Sequence, residues 1–278
     1  MEPILKWAGG KRKLVSEITS LINFIYKGKF VNKLYEPFFG GGSLSFAMEH
    51  DDTVINDINP ELFNLYTQIK LHPNEVIKEL KKHELNHSKE YYYQIRELDR
   101  SDYFKRMSPI KKAARIIYLN RACFNGLYRV NSKGFFNVPV GKTTCKSFVF
   151  EDRIISISKF LNLPNVKLLN DDFEKTVLDV NRGDLVYFDP PYDYESKNGF
   201  VSYAKTGFNH DDLIRLKNTC DFVVSKGAHV ILSNNNTEFV RELFLNDSKY
   251  KVKYIKVQRH ISGKNNGRKK VEEVLIYA

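Results

Sequence analysis

The chain has 278 residues, 42% hydrophobic and 28% charged, a balance that argues against long disordered tracts and fits one large domain or one domain with a sizeable insertion. Lysine and arginine number 44 against 33 acidic residues, a formal charge of +11, so a polyanionic partner is the first expectation, although a solvated lysine-rich surface would give the same charge. The start, Met1-Glu2-Pro3-Ile4-Leu5-Lys6-Trp7, lacks a basic segment leading into an apolar stretch, and no apolar run approaches the roughly 18 residues that span a bilayer, so a cytoplasmic protein without membrane contact is expected.

In chain order, the first signal follows Gly9-Gly10, where Leu14, Ile18, Leu21, Ile22 and Ile25 recur at helical spacing and predict an amphipathic helix fed by a loop. The apolar run Leu34-Tyr35-Glu36-Pro37-Phe38-Phe39 ends in Gly40-Gly41-Gly42 and a helix from Ser43, giving strand, glycine turn and helix. Thr53-Val54-Ile55-Asn56-Asp57 predicts a second strand, and Asn59-Pro60 suits a helix cap with proline at the first helical position. From Pro60 to Phe150 the pattern becomes helices separated by polar turns, with a Gly/Asn/Pro-rich stretch from Arg121 to Thr144; this block reads as an insertion. Strand signals return at Val166 to Leu169, Asp184 to Phe188, His229 to Ser233 and Val274 to Tyr277, with a helical pattern from Asp211 to Lys226. The flanking parts therefore predict an alternating α/β sheet.

Such sheets bind ligands beyond the carboxyl ends of their strands. Gly40-Gly41-Gly42-Ser43 lacks the third glycine of the dinucleotide fingerprint, which weakens a nicotinamide reading; a tight turn explains the triplet equally well. Asp57, at a strand end, is placed to accept both hydroxyls of an adenosine ribose, or else to cap a helix. The most informative stretch is Asp189-Pro190-Pro191-Tyr192 after the apolar strand, because two prolines cannot continue a central strand and the chain must turn there.

These residue types suit methylation of an adenine amine, whose lone pair is delocalised into the ring. The Asp189 carboxylate and the Pro190 carbonyl can each accept one N–H, and Tyr192 can stack on a base that has left the duplex. Methylation of a cytosine carbon would need a cysteine nucleophile, commonly preceded by proline, and neither Cys123, Cys145 nor Cys220 follows one. Their spacing matches no metal-ligand pattern, so no metal is expected.

Lys6-Trp7-Ala8-Gly9-Gly10-Lys11, Glu36-Pro37-Phe38-Phe39-Gly40-Gly41-Gly42, Ile55-Asn56-Asp57-Ile58-Asn59, Asn120 to Pro139, and Asp189-Pro190-Pro191-Tyr192 stand in an order that resembles the Dam-type (D12 class) DNA adenine methyltransferases over nearly the whole chain. The resemblance implies a Rossmann-like, mixed, mainly parallel sheet of the S-adenosylmethionine-dependent methyltransferase fold, with an inserted helical DNA-recognition domain carrying a β-hairpin. Residues 1–59 and 151–278 would be catalytic and 60–150 would recognise DNA.

Trp7, Lys11, Asp57 and Asp189 would touch S-adenosylmethionine, Glu36 and Gly40 would line its pocket, and Asp171 or Asp172 with Phe173 would border its adenine. The catalytic set would be Asp189, Pro190, Pro191 and Tyr192. Lys6, Phe124, Asn125, Leu127, Arg129 and Pro139 would meet double-stranded DNA. Arg129 would pair with a guanine, Leu127 and Pro139 would contact a thymine methyl, and Phe124 would wedge into the stack, where the family commonly carries tyrosine. The expected site is GATC. Lys111-Lys112-Arg115 and Arg268-Lys269-Lys270 are candidate phosphate contacts, the second within a near-terminal loop from His260 that resembles the family's backbone brace. Rival readings are a ribosomal RNA adenine methyltransferase, a non-catalytic DNA-binding relative and a nicotinamide dehydrogenase; no obligate protein partner is implied.

Overall fold

The computed structural model describes residues 1–6, 12–142, 147–193, 208–257 and 271–278. In chain order the elements are α1 (Arg12–Tyr26), β1 (Leu34–Glu36), α2 (Ser43–Met48), β2 (Asp52–Asn56), α3 (Pro60–Leu71), α4 (Pro73–Leu85), α5 (Lys89–Glu97), α6 (Asp102–Arg106) and α7 (Pro109–Ala122). They continue as α8 (Glu151–Leu161), β3 (Asn165–Leu169), α9 (Phe173–Thr176), β4 (Leu185–Phe188), α10 (His210–Ser225), β5 (His229–Asn235), α11 (Glu238–Leu245), β6 (Lys251–Val257) and β7 (Val271–Tyr277). The seven strands make a mixed, mainly parallel sheet. The chain divides into two compact units, Met1–Thr19 with Phe39–Asn170, and Ser20–Phe38 with Asp171–Ala278.

In the first unit β2 and β3 pair in parallel, with Asp52 opposite Asn165 and Asn56 opposite Leu169. The helix after β2 starts as its sequence dictates: Pro60 occupies the first turn, and the Asn59 side chain accepts the N–H of Glu61 at 3.0 Å. Leu62, Leu65, Tyr66 and Ile69 form the buried stripe of α3, and α7 packs there with Ala113, Ala114 and Ile117. Small residues on α7 allow the close approach, and each large aliphatic side chain buried contributes about 1.5–3 kcal/mol. Residues 60–150 lie wholly in this unit.

In the second unit β1, β4 and β5 run parallel, Leu34 opposite Leu185 and Leu185 opposite His229, while β7 pairs antiparallel with both β5 and β6. All four residues of β4 are buried, as a central strand covered on both faces requires. Helix α10 begins with a capping box between Asn209 and Asp212 and buries Leu213, Leu216, Cys220 and Val223.

The structure shifts several sequence-based boundaries. The first strand stops at Glu36 rather than Phe39, because Pro37 cannot donate to a ladder. The fifth runs on to Asn235, past the apolar signal that ended at Ser233. Strand β6 was not foreseen: lysines at 251, 253 and 256 mask its alternation, a composition that protects a sheet edge.

Candidate active site and nucleic-acid interface

The glycine turn follows β1 in sequence and belongs to the first unit. Gly40 and Gly42 take left-handed backbone angles, φ 51° and 71°, which side chains adopt only with strain. A Cβ at Gly42 would lie 2.5 Å from the Phe39 ring and 2.6 Å from that of Phe46. The turn carries the Gly40 N–H to Asp57, whose Oδ2 accepts it at 2.8 Å, while Oδ1 accepts the N–H of Asn59 at 2.9 Å. Burial pushes the Asp57 carboxyl above its ordinary range, and the N–H groups of Asn59 and Gly40 oppose that push. A carboxylate offers roughly four lone-pair positions, so Asp57 keeps acceptor capacity for hydroxyl donors such as a ribose diol. The residues present therefore fit the sugar of an adenosine-bearing cofactor.

In the second unit β4 ends at Phe188 and leads directly into the irregular segment Asp189-Pro190-Pro191-Tyr192, in which the turn expected at the prolines is not seen; the two prolines end the strand pairing without reversing the chain. Pro190 is buried, Asp189 and Tyr192 are half-buried and Pro191 is exposed. Asp189 Oδ1 accepts the Ser233 hydroxyl at 3.3 Å, and that hydroxyl lies 2.7 Å from Tyr187 Oη. Burial pushes the Tyr187 hydroxyl well above its usual range and the nearby carboxylates of Glu36 and Glu273 add to the shift, so Tyr187 keeps its proton and can donate along this chain toward Asp189. Tyr192 Oη donates to Glu273 Oε2 at 3.5 Å, which ties the ring to β7. Glu36 and Glu273 are each 2% exposed.

Phe173 opens α9, buried against Phe38, with centroids 5.3 Å apart and planes at 28°. The Arg215 guanidinium lies over the same ring at 5.0 Å. Asp172 caps α9 by accepting the Glu174 N–H at 3.0 Å and pairs with Arg215 at 3.0 Å, whereas Asp171 pairs with Lys175 at 2.9 Å. Of the two aspartates that the sequence leaves open, Asp172 is the one joined to the Phe173 cluster through Arg215. Trp7, Lys11, Arg268, Lys269, Lys270 and the loop from His260 lie outside the described residues.

The sequence-predicted hairpin belongs to the first unit. It shows two antiparallel bridges, Cys123 with Val140 and Val130 with Phe136, and Phe124 N–H donates to the Pro139 carbonyl at 2.9 Å. Asn125 and Gly126 adopt positive φ, 54° and 65°. Phe124, Asn125, Arg129 and Pro139 are exposed and Leu127 is half-buried. Asn137 holds the Arg129 guanidinium twice, its Oδ1 accepting Nε at 2.7 Å and its carbonyl accepting Nη2 at 3.4 Å. The Asn120 amide joins Lys6 to the hairpin: it accepts the Lys6 N–H at 2.7 Å and donates to the Lys6 carbonyl at 2.9 Å and the Gly126 carbonyl at 3.0 Å.

One expectation is corrected. Arg115 is 1% exposed and is no surface phosphate contact; Nη2 pairs with Asp99 at 2.9 Å, and Nε donates to the Ile95 carbonyl at 2.9 Å. Asp99 Oδ2 in turn accepts the Phe136 N–H at 2.8 Å, and Tyr92 Oη donates to the Val138 carbonyl at 2.8 Å, so the hairpin is held from beneath. Lys111 of the same sequence cluster is exposed. Sequence reading also passed over Ser233, Glu273 and Arg215. A polar Ser-Asn-Asn run closing an apolar strand is the available signal for Ser233; Glu273 stands just before the apolar run that begins at Val274.

A family model described as D12 class N6 adenine-specific DNA methyltransferase matches residues 7–261. The chain is 40% identical over 277 residues to the Type II methyltransferase M1.LlaDCHI of Lactococcus lactis subsp. cremoris, covering 99% of this chain and 95% of that protein. It is 36% identical to the Type II methyltransferase M.MjaIII of Methanocaldococcus jannaschii, covering 99% and 98% respectively. It is 31% identical to the DNA adenine methylase of Escherichia coli strain K12, covering 98% and 93%. Among the described residues no helix is long and apolar enough to cross a membrane.

Proposed function

From the premise that this chain belongs to the D12 class N6 adenine-specific DNA methyltransferase family, we propose that it methylates adenine N6 within GATC in double-stranded DNA, with S-adenosylmethionine as donor and the target base turned out of the helix. The observation that best supports this reading is the join of β4 to Asp189-Pro190-Pro191-Tyr192, with Asp189 held by Ser233 and Tyr192 by Glu273. When bound, the cofactor supplies an electrophilic methyl group on a positively charged sulfur. By resemblance, Asp57 and Gly40 would hold its ribose, and Trp7, Lys11, Glu36, Asp172, Phe173 and Asp189 would also touch the cofactor.

The chain's own residues act on the amine. The Asp189 carboxylate and the Pro190 carbonyl each accept one N–H of the adenine amine, which draws the nitrogen toward a pyramidal shape and frees its lone pair. Tyr192 stacks on the extruded base while Glu273 fixes the far end of its ring. In the recognition block, residues 60–150, the exposed edge of Arg129 takes a guanine, Leu127 and Pro139 meet a thymine methyl, and Phe124 fills the stack beside the vacated position; Asn125 and Lys6 lie alongside the same groove.

The test is transfer of tritiated methyl from S-adenosylmethionine to two duplexes that differ only in a GATC site, with an RNA control. Label in the GATC duplex alone, recovered as N6-methyladenine, is expected. Equal label in both duplexes overturns the site, and label in RNA alone overturns the substrate.

A further inference from the structure

Pro190 and Pro191 have no N–H, so neither can donate a ladder bond to fix the path of the chain beyond Asp189. The hold comes from the next residues, and Asp193, directly after Tyr192, has a partner for each of its four polar atoms. Its N–H donates to Asn234 Oδ1 at 2.9 Å and its carbonyl accepts Asn235 Nδ2 at 2.5 Å. Its carboxylate accepts the Thr237 hydroxyl at 2.6 Å through Oδ2 and faces His210 Nε2 at 3.3 Å through Oδ1. The partners are themselves fixed. Asn234 and Asn235 are buried on β5, the Thr237 hydroxyl caps α11, and the His210 ring stacks on Phe239 with centroids 3.8 Å apart.

The grip is kept at a cost in stability. Among the described residues Asn234 Nδ2 and Asn235 Oδ1 are buried without a hydrogen-bond partner, and unpaired buried polar atoms disfavour the folded state. Aliphatic side chains at those positions would avoid the penalty and would lose the hold on Asp193. The two amides are thus arranged to place one loop residue rather than to fill the core.

We propose that Asp193 is a positioning residue for methyl transfer: clamped by Asn234, Asn235, Thr237 and His210, it sets where Asp189, Pro190 and Tyr192 stand relative to β5. This inference rests on the reading that the proline segment holds the target adenine. The clamp acts on the geometry of the reacting amine rather than on capture of either substrate, so its loss lowers kcat and leaves KM for donor and duplex in place. A displacement near 1 Å at a reacting centre costs on the order of 100-fold in rate.

The experiment measures kcat, both KM values and the melting temperature for Asp193→Ala, Asp193→Asn, Thr237→Asp and Asp189→Ala. Thr237→Asp keeps a good helix cap while replacing the donated hydroxyl with a carboxylate that repels Asp193. The expected result is a fall in kcat of about 10- to 100-fold for Asp193→Ala and Thr237→Asp with both KM values held, and partial recovery in Asp193→Asn. Wild-type kcat in Thr237→Asp, or a loss carried by KM, overturns the clamp; should Asp193→Ala fail to fold, Thr237→Asp alone decides. Asp189→Ala separates the two ideas. Full transfer by that variant removes the reading of the proline segment, whereas its inactivity beside a wild-type Thr237→Asp removes only the clamp.

Discussion

The proline segment after β4 and the hairpin from Phe124 to Pro139 solve opposite problems. The segment is held by polar side chains that converge on it from neighbouring strands: Ser233 reaches Asp189, Glu273 reaches Tyr192 and the Asn234-Asn235 pair reaches Asp193. In the hairpin the fixed atoms are backbone groups of Phe136 and Val138, held from below by Asp99 and Tyr92, while Phe124, Asn125, Arg129 and Pro139 project outward. Chemistry on a weak nucleophile needs preorganised acceptors in a partly buried site. Reading a groove needs exposed side chains on a stiff support.

The largest effect expected from breaking that support is at Asp99. Asp99→Ala leaves the guanidinium of Arg115 buried, with the nearest remaining carboxylate, Glu61, at 4.0 Å. Removing one partner of a buried ion pair costs about 3–5 kcal/mol, a loss that urea denaturation of the variant measures. A loss under about 1 kcal/mol, the range of surface pairs, would mean that the hairpin does not depend on this pair. On the other side of the comparison, Asp189→Ala removes the acceptor proposed for the reacting amine and should lower kcat about 100- to 1,000-fold with an unchanged melting curve. Near-normal transfer would take Asp189 out of the chemistry.

The two regions also differ in how far sequence reveals them. The end of β4 at the proline segment was legible because it is local: two prolines after an apolar strand stop the ladder, and the glycine turn and Asp57 precede it in the chain. The supports of both regions were not legible, because they join residues distant in the chain. Arg115 looks like one of three cations on a helix surface until Asp99 is seen beside it, and Asp193 looks like a loop aspartate until β5 and α11 bring Asn234, Asn235 and Thr237 to it. Periodicity assigns a residue to a face, but a buried charge is located by its partner, and no local pattern names that partner. Strand β6 was missed for a related reason: its lysines reflect an exposed edge, which hydropathy reads as loop.

Arg129 separates reading from support within the hairpin. Asn137 already accepts its Nε and, at 3.4 Å, its Nη2, so Nη1 and the second hydrogen of Nη2 remain for an outside acceptor such as the proposed guanine. Arg129→Ala should cost about 1–3 kcal/mol in discrimination at a single base pair, measured as the ratio of kcat/KM for GATC and for duplexes changed at one position. Equal weakening on every duplex would make Arg129 a backbone contact.

The smallest effect belongs to Lys111, which is exposed on α7 a turn before the buried Arg115. One helix thus carries an inward cation that stiffens the hairpin and an outward one that can meet a phosphate. Lys111→Ala should weaken duplex binding about equally for all sequences and reduce the slope of log affinity against log salt by about 1, with stability unchanged. The contrast with Asp99→Ala is in kind, since one variant changes a salt slope and the other a folding free energy. A Lys111 variant that left the slope unchanged would place that face of α7 away from the phosphate backbone, and the basic surface that binds DNA would then have to lie elsewhere on the chain.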